Sequence, residues 1–251
     1  IVAERGLSAV PLLVPIVNLA AMGRGLIPIH GCAFRHEGRG VLVVGWAKGG
    51  KSETLLAFTA RGAELIGDEW IYLERETGRL FGLPEPMRIW DWQLQTMPGL
   101  AGRVPAGARR RLAVMRAASA GLRGVAGLPL VGRGTPGRLA RRARAILDRQ
   151  RSVQVPPERL LDSQAVTGGE PVARTILVMS HESQTIDVAA ADGADVARRA
   201  ATSFAFEMGD LVGHYQRFRF AFPDRPNPGL DDLAVRYEAA LVTALQGVPA
   251  I

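Results

Sequence analysis

The stretch Val41-Leu42-Val43-Val44-Gly45-Trp46-Ala47-Lys48-Gly49-Gly50-Lys51-Ser52-Glu53-Thr54 decides the reading of this chain. Four apolar residues, three of them valine, predict a strand buried on both faces. The next eight fit G-x-x-x-x-G-K-[ST], and the chain then reads as a helix over Lys51 to Arg61, stopped by Gly62. Each part of such a loop has a physical duty. Glycines let backbone N–H groups converge on phosphate oxygens, the helix N-terminus favours negative charge, the lysine reaches the β and γ phosphates, and the hydroxyl ligates Mg²⁺. Gly45, Trp46, Ala47, Lys48, Gly49, Gly50, Lys51, Ser52 and Glu53 are therefore expected to bind ATP with Mg²⁺. The plainer alternative is a Gly-rich turn with a surface lysine. The lysine census argues against it: Lys48 and Lys51 are the two lysines of a chain whose Lys plus Arg total is 31. Arginine does not readily replace a compact ammonium between phosphates.

The 251 residues are 47% apolar and carry a formal charge of +7, enough for a packed core and incompatible with a disordered or disulfide-stapled chain. A single cysteine, Cys32, asks for no oxidising compartment, so the cytoplasm is the expected location. The most apolar run, Val10 to Met22, is broken by Pro11, Pro15 and Asn18 and is too short to span a bilayer. It is expected to pack on the core as a helix or linker. A chain that begins with Ile1 is expected to lack some N-terminal sequence.

The charge is concentrated. Between Ala101 and Leu160 there are 14 arginines against Asp148 and Glu158, a net of +12, which leaves −5 for the rest of the +7 chain. Gly- and Pro-rich punctuation divides this segment into two helices, about 106–120 and 136–151. Strands are expected over 26–34, 65–73 and 79–83, a hairpin over 175–179 and 185–188, and helices over about 192–212 and 230–245. Strands and helices interleave, so the expected fold is a single α/β domain, with its core over about 24–100 and 170–251 and an Arg-rich helical insert over about 101–160.

A phosphate-bound Mg²⁺ needs a carboxylate, and Asp68-Glu69 stand 16 and 17 residues after Ser52. Neighbouring side chains on a strand face opposite ways, so a bend, with Gly67 the candidate, is needed for both to reach one site. His30 lies fifteen residues before Gly45. With Gly50-Lys51-Ser52-Glu53-Thr54 and the run Arg61-Gly62-Ala63-Glu64-Leu65-Ile66-Gly67-Asp68-Glu69, this spacing resembles the HPr kinase/phosphorylase superfamily over roughly 26–73. The resemblance implies a P-loop kinase core of the type shared with phosphoenolpyruvate carboxykinase. It also implies Lys51 and Ser52 on phosphates and metal, Ser52, Asp68 and Glu69 as the metal set, and His30 beside the transferred phosphate. Asp68 is the expected base, although the two acids are able to exchange roles.

Departures limit the resemblance. Trp46, Ala47 and Lys48 replace the usual loop residues, Glu69 replaces an aspartate, and the Glu-Ile-Arg-Gly-Leu-Gly and Arg-Pro-Gly-Arg-Asn segments of true HPr kinases are absent. Lys48 is either a second cation near the γ-phosphate or a solvent-facing side chain. The expected activity is transfer of the ATP γ-phosphate to a hydroxyl acceptor on a protein, peptide or small molecule, without the phosphorylase reaction. The alternative is a nucleotide-binding or ATP-hydrolysing accessory protein that uses the loop as a switch. Arg88 is a candidate clamp for a phosphate or an acidic acceptor, and Trp90 and Trp92, two apart on an expected strand, read either as a wall of the acceptor site or, the favoured reading, as residues packing a core or its edge. The Arg-rich segment is read either as a lid or partner surface, fitting an acidic acceptor, or as a solvated helical hairpin. Without Phe, Tyr or Trp among its charges it does not read as a nucleic-acid surface. A homo-oligomer is compatible with the C-terminal helices.

Overall fold

The computed structural model of the chain describes residues 10–83, 85–127, 134–161, 169–180, 182 and 185–251. It is a mixed α/β protein with a mixed sheet. The chain divides into two compact units, one formed by Ile1–Pro84 with Ala165–Ile251 and the other by Glu85–Gln164. Residues 85–100 thus belong with the Arg-rich helices. Among the described residues no helix is long and apolar enough to cross a membrane.

In the first unit, α1 (Leu13–Met22) leads into the long strand β1 (Leu26–His36), which turns back at once as β2 (Arg39–Gly45). The turn has two central residues, Glu37 and Gly38, both at positive φ (50° and 73°), the geometry whose twist matches paired antiparallel strands. His36 consequently pairs with Arg39 and Gly31 with Val44. Gly31 is required here, because a Cβ at that position would lie 2.6 Å from the Val43 carbonyl oxygen.

Helix α2 (Lys51–Thr59) comes after the loop, and β3 (Glu64–Gly67) and β4 (Trp70–Glu74) then run along the other edge of β1. The continuous strand expected over 65–73 is broken at Asp68-Glu69. The bend comes from Glu69, at φ 67°, and not from Gly67. Strand β5 (Arg79–Gly82) pairs antiparallel with β4 and, through Arg79 and Leu80, with the start of β8 (Glu170–Val178). Strand β8 lies parallel to β2, with Gly45 opposite Val178, so the pairings β1-β2-β8-β5-β4-β1 return to their origin.

The hairpin expected over 175–179 and 185–188 does not form. The far end of β8 is met instead by the last residues of the chain, with Thr175 N–H donating to Pro249 O and Leu177 N–H to Ile251 O. Ile186 and Val188 are exposed, and His181 and Ser183 lie outside the described residues. The helix expected over 192–212 is two, α8 (Gly193–Glu207) and α9 (Gly209–Ala221); α10 (Pro228–Asp231) and α11 (Leu233–Leu245) complete the unit. The core lies between the sheet and α8 and α11, where Ile27, Ile29, Val44 and Ile71 meet Val196, Phe204, Tyr237 and Leu241. Phe204 and Tyr237 stack at 3.8 Å, and the Tyr237 hydroxyl donates to Pro28 O at 2.7 Å. That bond satisfies a polar group that would otherwise be costly at full burial.

The second unit holds the antiparallel pair β6 (Met87–Trp90) and β7 (Ser152–Val155) with α3 (Asp91–Thr96), α4 (Pro98–Ala101), α5 (Ala106–Gly127), α6 (Thr135–Gln150) and α7 (Pro157–Leu160). Its anchor is Asp91, 1% exposed, which accepts from Arg116 and Arg151. Burial pushes the Asp91 carboxyl up, but the two guanidinium donations prevail and hold it below the usual carboxylate range. Trp90 ends β6, whereas Trp92 stands on α3 and is 47% exposed, so the two tryptophans do not share a strand.

Candidate functional site

Buried β2 delivers the chain to Gly45, and α2 begins at Lys51; the loop between them turns through two left-handed residues, Lys48 (φ 62°) and Gly50 (φ 105°). Gly45 must be glycine because a Cβ would sit 2.5 Å from Val178 O of the adjacent parallel strand. Gly50 leaves α2 with no side-chain cap, so the first-turn amides keep their donor capacity for a ligand. Lys51 is 7% exposed and folds back into the loop, donating from Nζ to Gly45 O at 3.0 Å and Trp46 O at 3.1 Å. Burial pulls its pKa down, and neighbouring carboxylates, led by Glu69, oppose this. The loop thus sets uncapped first-turn amides beside a buried cation, a combination of donors that suits a polyanion.

Asp68 closes one side of this cradle. It is 7% exposed, and both its carboxylate oxygens lie 3.1 Å from Ser52 Oγ, which donates to them. Burial, and then the charge of Glu69, push its pKa up to about 6, against the Glu69 backbone N–H, the Ser52 hydroxyl and Lys51, which pull it down. Cys32 lies beneath, donating from Sγ to Lys51 O at 3.2 Å; burial first, then Asp68, pushes its thiol well up, so it serves as packing and not as a nucleophile.

Glu69 has a positive φ, and its side chain reaches His30. Glu69 Oε2 lies 3.4 Å from His30 Nε2, and Glu207 Oε1 lies 3.3 Å from Nδ1, with Ser203 Oγ at 3.4 Å from the same nitrogen. His30 is 8% exposed and stacks on Trp70 at 5.5 Å, whereas Glu69 is 50% exposed. The structure therefore brings Lys51, Ser52, Asp68, Glu69 and His30 to one end of β2. It separates the two acids into a buried one on Ser52 and an open one on the histidine.

No protein-family model matches the chain, and no curated protein matches it.

Among the described residues no group of three or more His, Cys, Asp and Glu side chains is arranged to hold a metal by itself. Ser52 and Asp68 offer two hard oxygen ligands, a set that fits Mg²⁺ held mainly by phosphate oxygens and water. Arg88 lies exposed on β6 of the second unit, opposite Gln154. Lys48 is exposed on the β8 side of the loop. Sequence reasoning missed Glu207 and Ser203. Their signal is a polar pair at i and i+4 on α8, on a face otherwise made by Val196, Ala197, Ala200 and Phe204.

Proposed function

We propose that this protein is an ATP-dependent kinase that moves the γ-phosphate of Mg²⁺-ATP onto a hydroxyl acceptor, built on a P-loop core of the HPr kinase and phosphoenolpyruvate carboxykinase type. The observation that carries the reading is the contact between Ser52 and the buried Asp68 at the foot of an uncapped, lysine-bearing loop. A hydroxyl ligand paired with a carboxylate from a neighbouring strand is the arrangement that P-loop enzymes use for the metal. Bound Mg²⁺ would supply charge neutralisation across the β and γ phosphates, with Ser52 and Asp68 holding it.

The geometry favours an exchange of the roles expected for the two acids. Asp68 is committed to Ser52 and shielded from solvent, so it serves the metal. Glu69 is open at the mouth of the site and backed by His30, so it is the group that takes the proton of the acceptor hydroxyl. Lys51 stabilises charge on the transferring group, and His30, held by Glu69 and Glu207, sits where it orients the acceptor. Buried His30 and the two acids around it favour transfer over a bare switch, which needs no base facing the site mouth.

The test is a pair of variants assayed with radiolabelled ATP in a lysate that contains the acceptor. Glu69→Gln is expected to bind Mg²⁺-ATP as the wild type does and to label nothing, whereas Asp68→Asn is expected to lose the Mg²⁺ dependence of binding. If the wild type hydrolyses ATP and labels no acceptor, the kinase reading gives way to the accessory switch. If the two variants behave in the reverse order, the roles return to Asp68 as base.

A further inference from the structure

The Ser52–Asp68 contact gives the cradle a direction. The metal and terminal phosphate belong on the side of β1 and β3, so the remainder of a bound nucleotide must leave by the opposite flank, where β8 lies beside β2. A cavity of about 540 Å³ opens on that flank. Its walls are Trp46 and Lys48 from the loop, Val178 at the end of β8 with Met179 just beyond it, and Arg199 and Thr202 from α8. That volume lies within the range of small-molecule sites.

Trp46 is 50% exposed, and its ring meets Phe206 at 5.1 Å with a tilt of 48°. A half-exposed indole in a phosphate loop contributes little to the core and offers a large flat surface to a ligand. Met179, 58% exposed, adds a soft apolar wall. Arg199 is held in place, with Nε donating to Asp195 at 2.8 Å and Nη1 lying 3.4 Å from the Met179 sulfur. Lys48 stands at the rim. The cavity thus combines an aromatic platform, an apolar wall and two cations, directly beside a phosphate cradle.

We propose that this cavity receives the nucleoside half of the nucleotide, with the aromatic base stacked on Trp46 and the α-phosphate between Lys48 and Arg199. The assignment rests on the phosphate-loop reading and adds a specificity-determining residue to it. Inorganic tripolyphosphate has the phosphates of ATP and no nucleoside, so the ratio of the two affinities isolates the cavity.

Titration calorimetry with Mg²⁺ is applied to wild type, Trp46→Ala and Trp46→Phe. ATP is expected to bind wild type about 5- to 100-fold more tightly than tripolyphosphate, the range of one base–aromatic stack. Trp46→Ala should remove most of that advantage by weakening ATP alone, and Trp46→Phe should keep most of it. Equal affinities in the wild type, an undiminished advantage in Trp46→Ala, or an equal loss for both ligands would each overturn the proposal while leaving the phosphate loop standing. If neither ligand binds the wild type, the loop reading falls and takes the cavity with it.

Discussion

Removing the charge of Asp68 should stabilise the metal-free protein while crippling it. The carboxylate is buried, and its pKa stands at about 6 instead of the ordinary 3.8. That displacement corresponds to about 3 kcal/mol. The sign comes from linkage. Because the folded state holds the proton more tightly than the unfolded chain, stability falls as pH rises from about 4 to 6, and the full cost stays in force above that. Asp68→Asn has no such titration. In EDTA, its stability relative to wild type should therefore be about 2–3 kcal/mol more favourable at pH 7.5 than at pH 4. Any constant effect of the amide on the bonds from Ser52 and the Glu69 N–H drops out of that comparison. The assay is urea unfolding monitored by hydrogen exchange in peptides from α11, so that only the first unit reports. Adding Mg²⁺ to saturating ATP should then raise the midpoint of the wild type further and leave that of the variant unchanged. A difference between the two proteins that is flat with pH would refute the reasoning, because it would mean that Asp68 is not held up by burial.

Lys51→Ala removes the cation that binds Gly45 O and Trp46 O, and should weaken ATP about 10- to 100-fold by calorimetry, the scale of charged hydrogen bonds. Glu207→Gln loosens His30 at Nδ1 and should lower the phosphoryl-transfer kcat by about tenfold with the ATP Kd unchanged; a change in Kd alone would remove Glu207 from the positioning role. Asp91→Ala removes the buried acceptor shared by Arg116 and Arg151, of which Arg151 keeps Asp148 and Arg116 is half exposed, and should cost the second unit about 1–3 kcal/mol, seen as faster proteolysis within residues 85–161.

The centre of the site was legible in the sequence because its chemistry is local. Strand, loop, lysine and serine succeed one another without interruption, and the spacing to Asp68-Glu69 is one helix, one turn and one short strand. The parting of the two acids, Asp68 onto Ser52 and Glu69 onto His30, was not legible, because it comes with a positive φ at Glu69, a backbone state that glutamate rarely adopts. Glu207 was hidden for another reason: it reaches His30 across 177 positions of sequence and belongs to a helix with no motif of its own. The failed hairpin at 185–188 shows the limit of alternation as a signal. Thr185 to Val188 has the pattern of a strand, but the edge of β8 that it would have taken is occupied by residues 249–251.

The order in which the strands close matters for synthesis. Strand β2 carries the loop, and its parallel neighbour β8 begins 125 residues after Gly45, beyond the entire second unit. At about 5–20 residues per second, a nascent chain spends several seconds or more with Val41 to Val44 lacking that neighbour. Such an apolar edge invites pairing with other chains. The loop's geometry, which depends on Gly45 lying against Val178, is completed only when that late strand arrives. Ribosome-bound chains stalled before residue 170 should therefore be chaperone clients, and ATP affinity should be acquired late in translation.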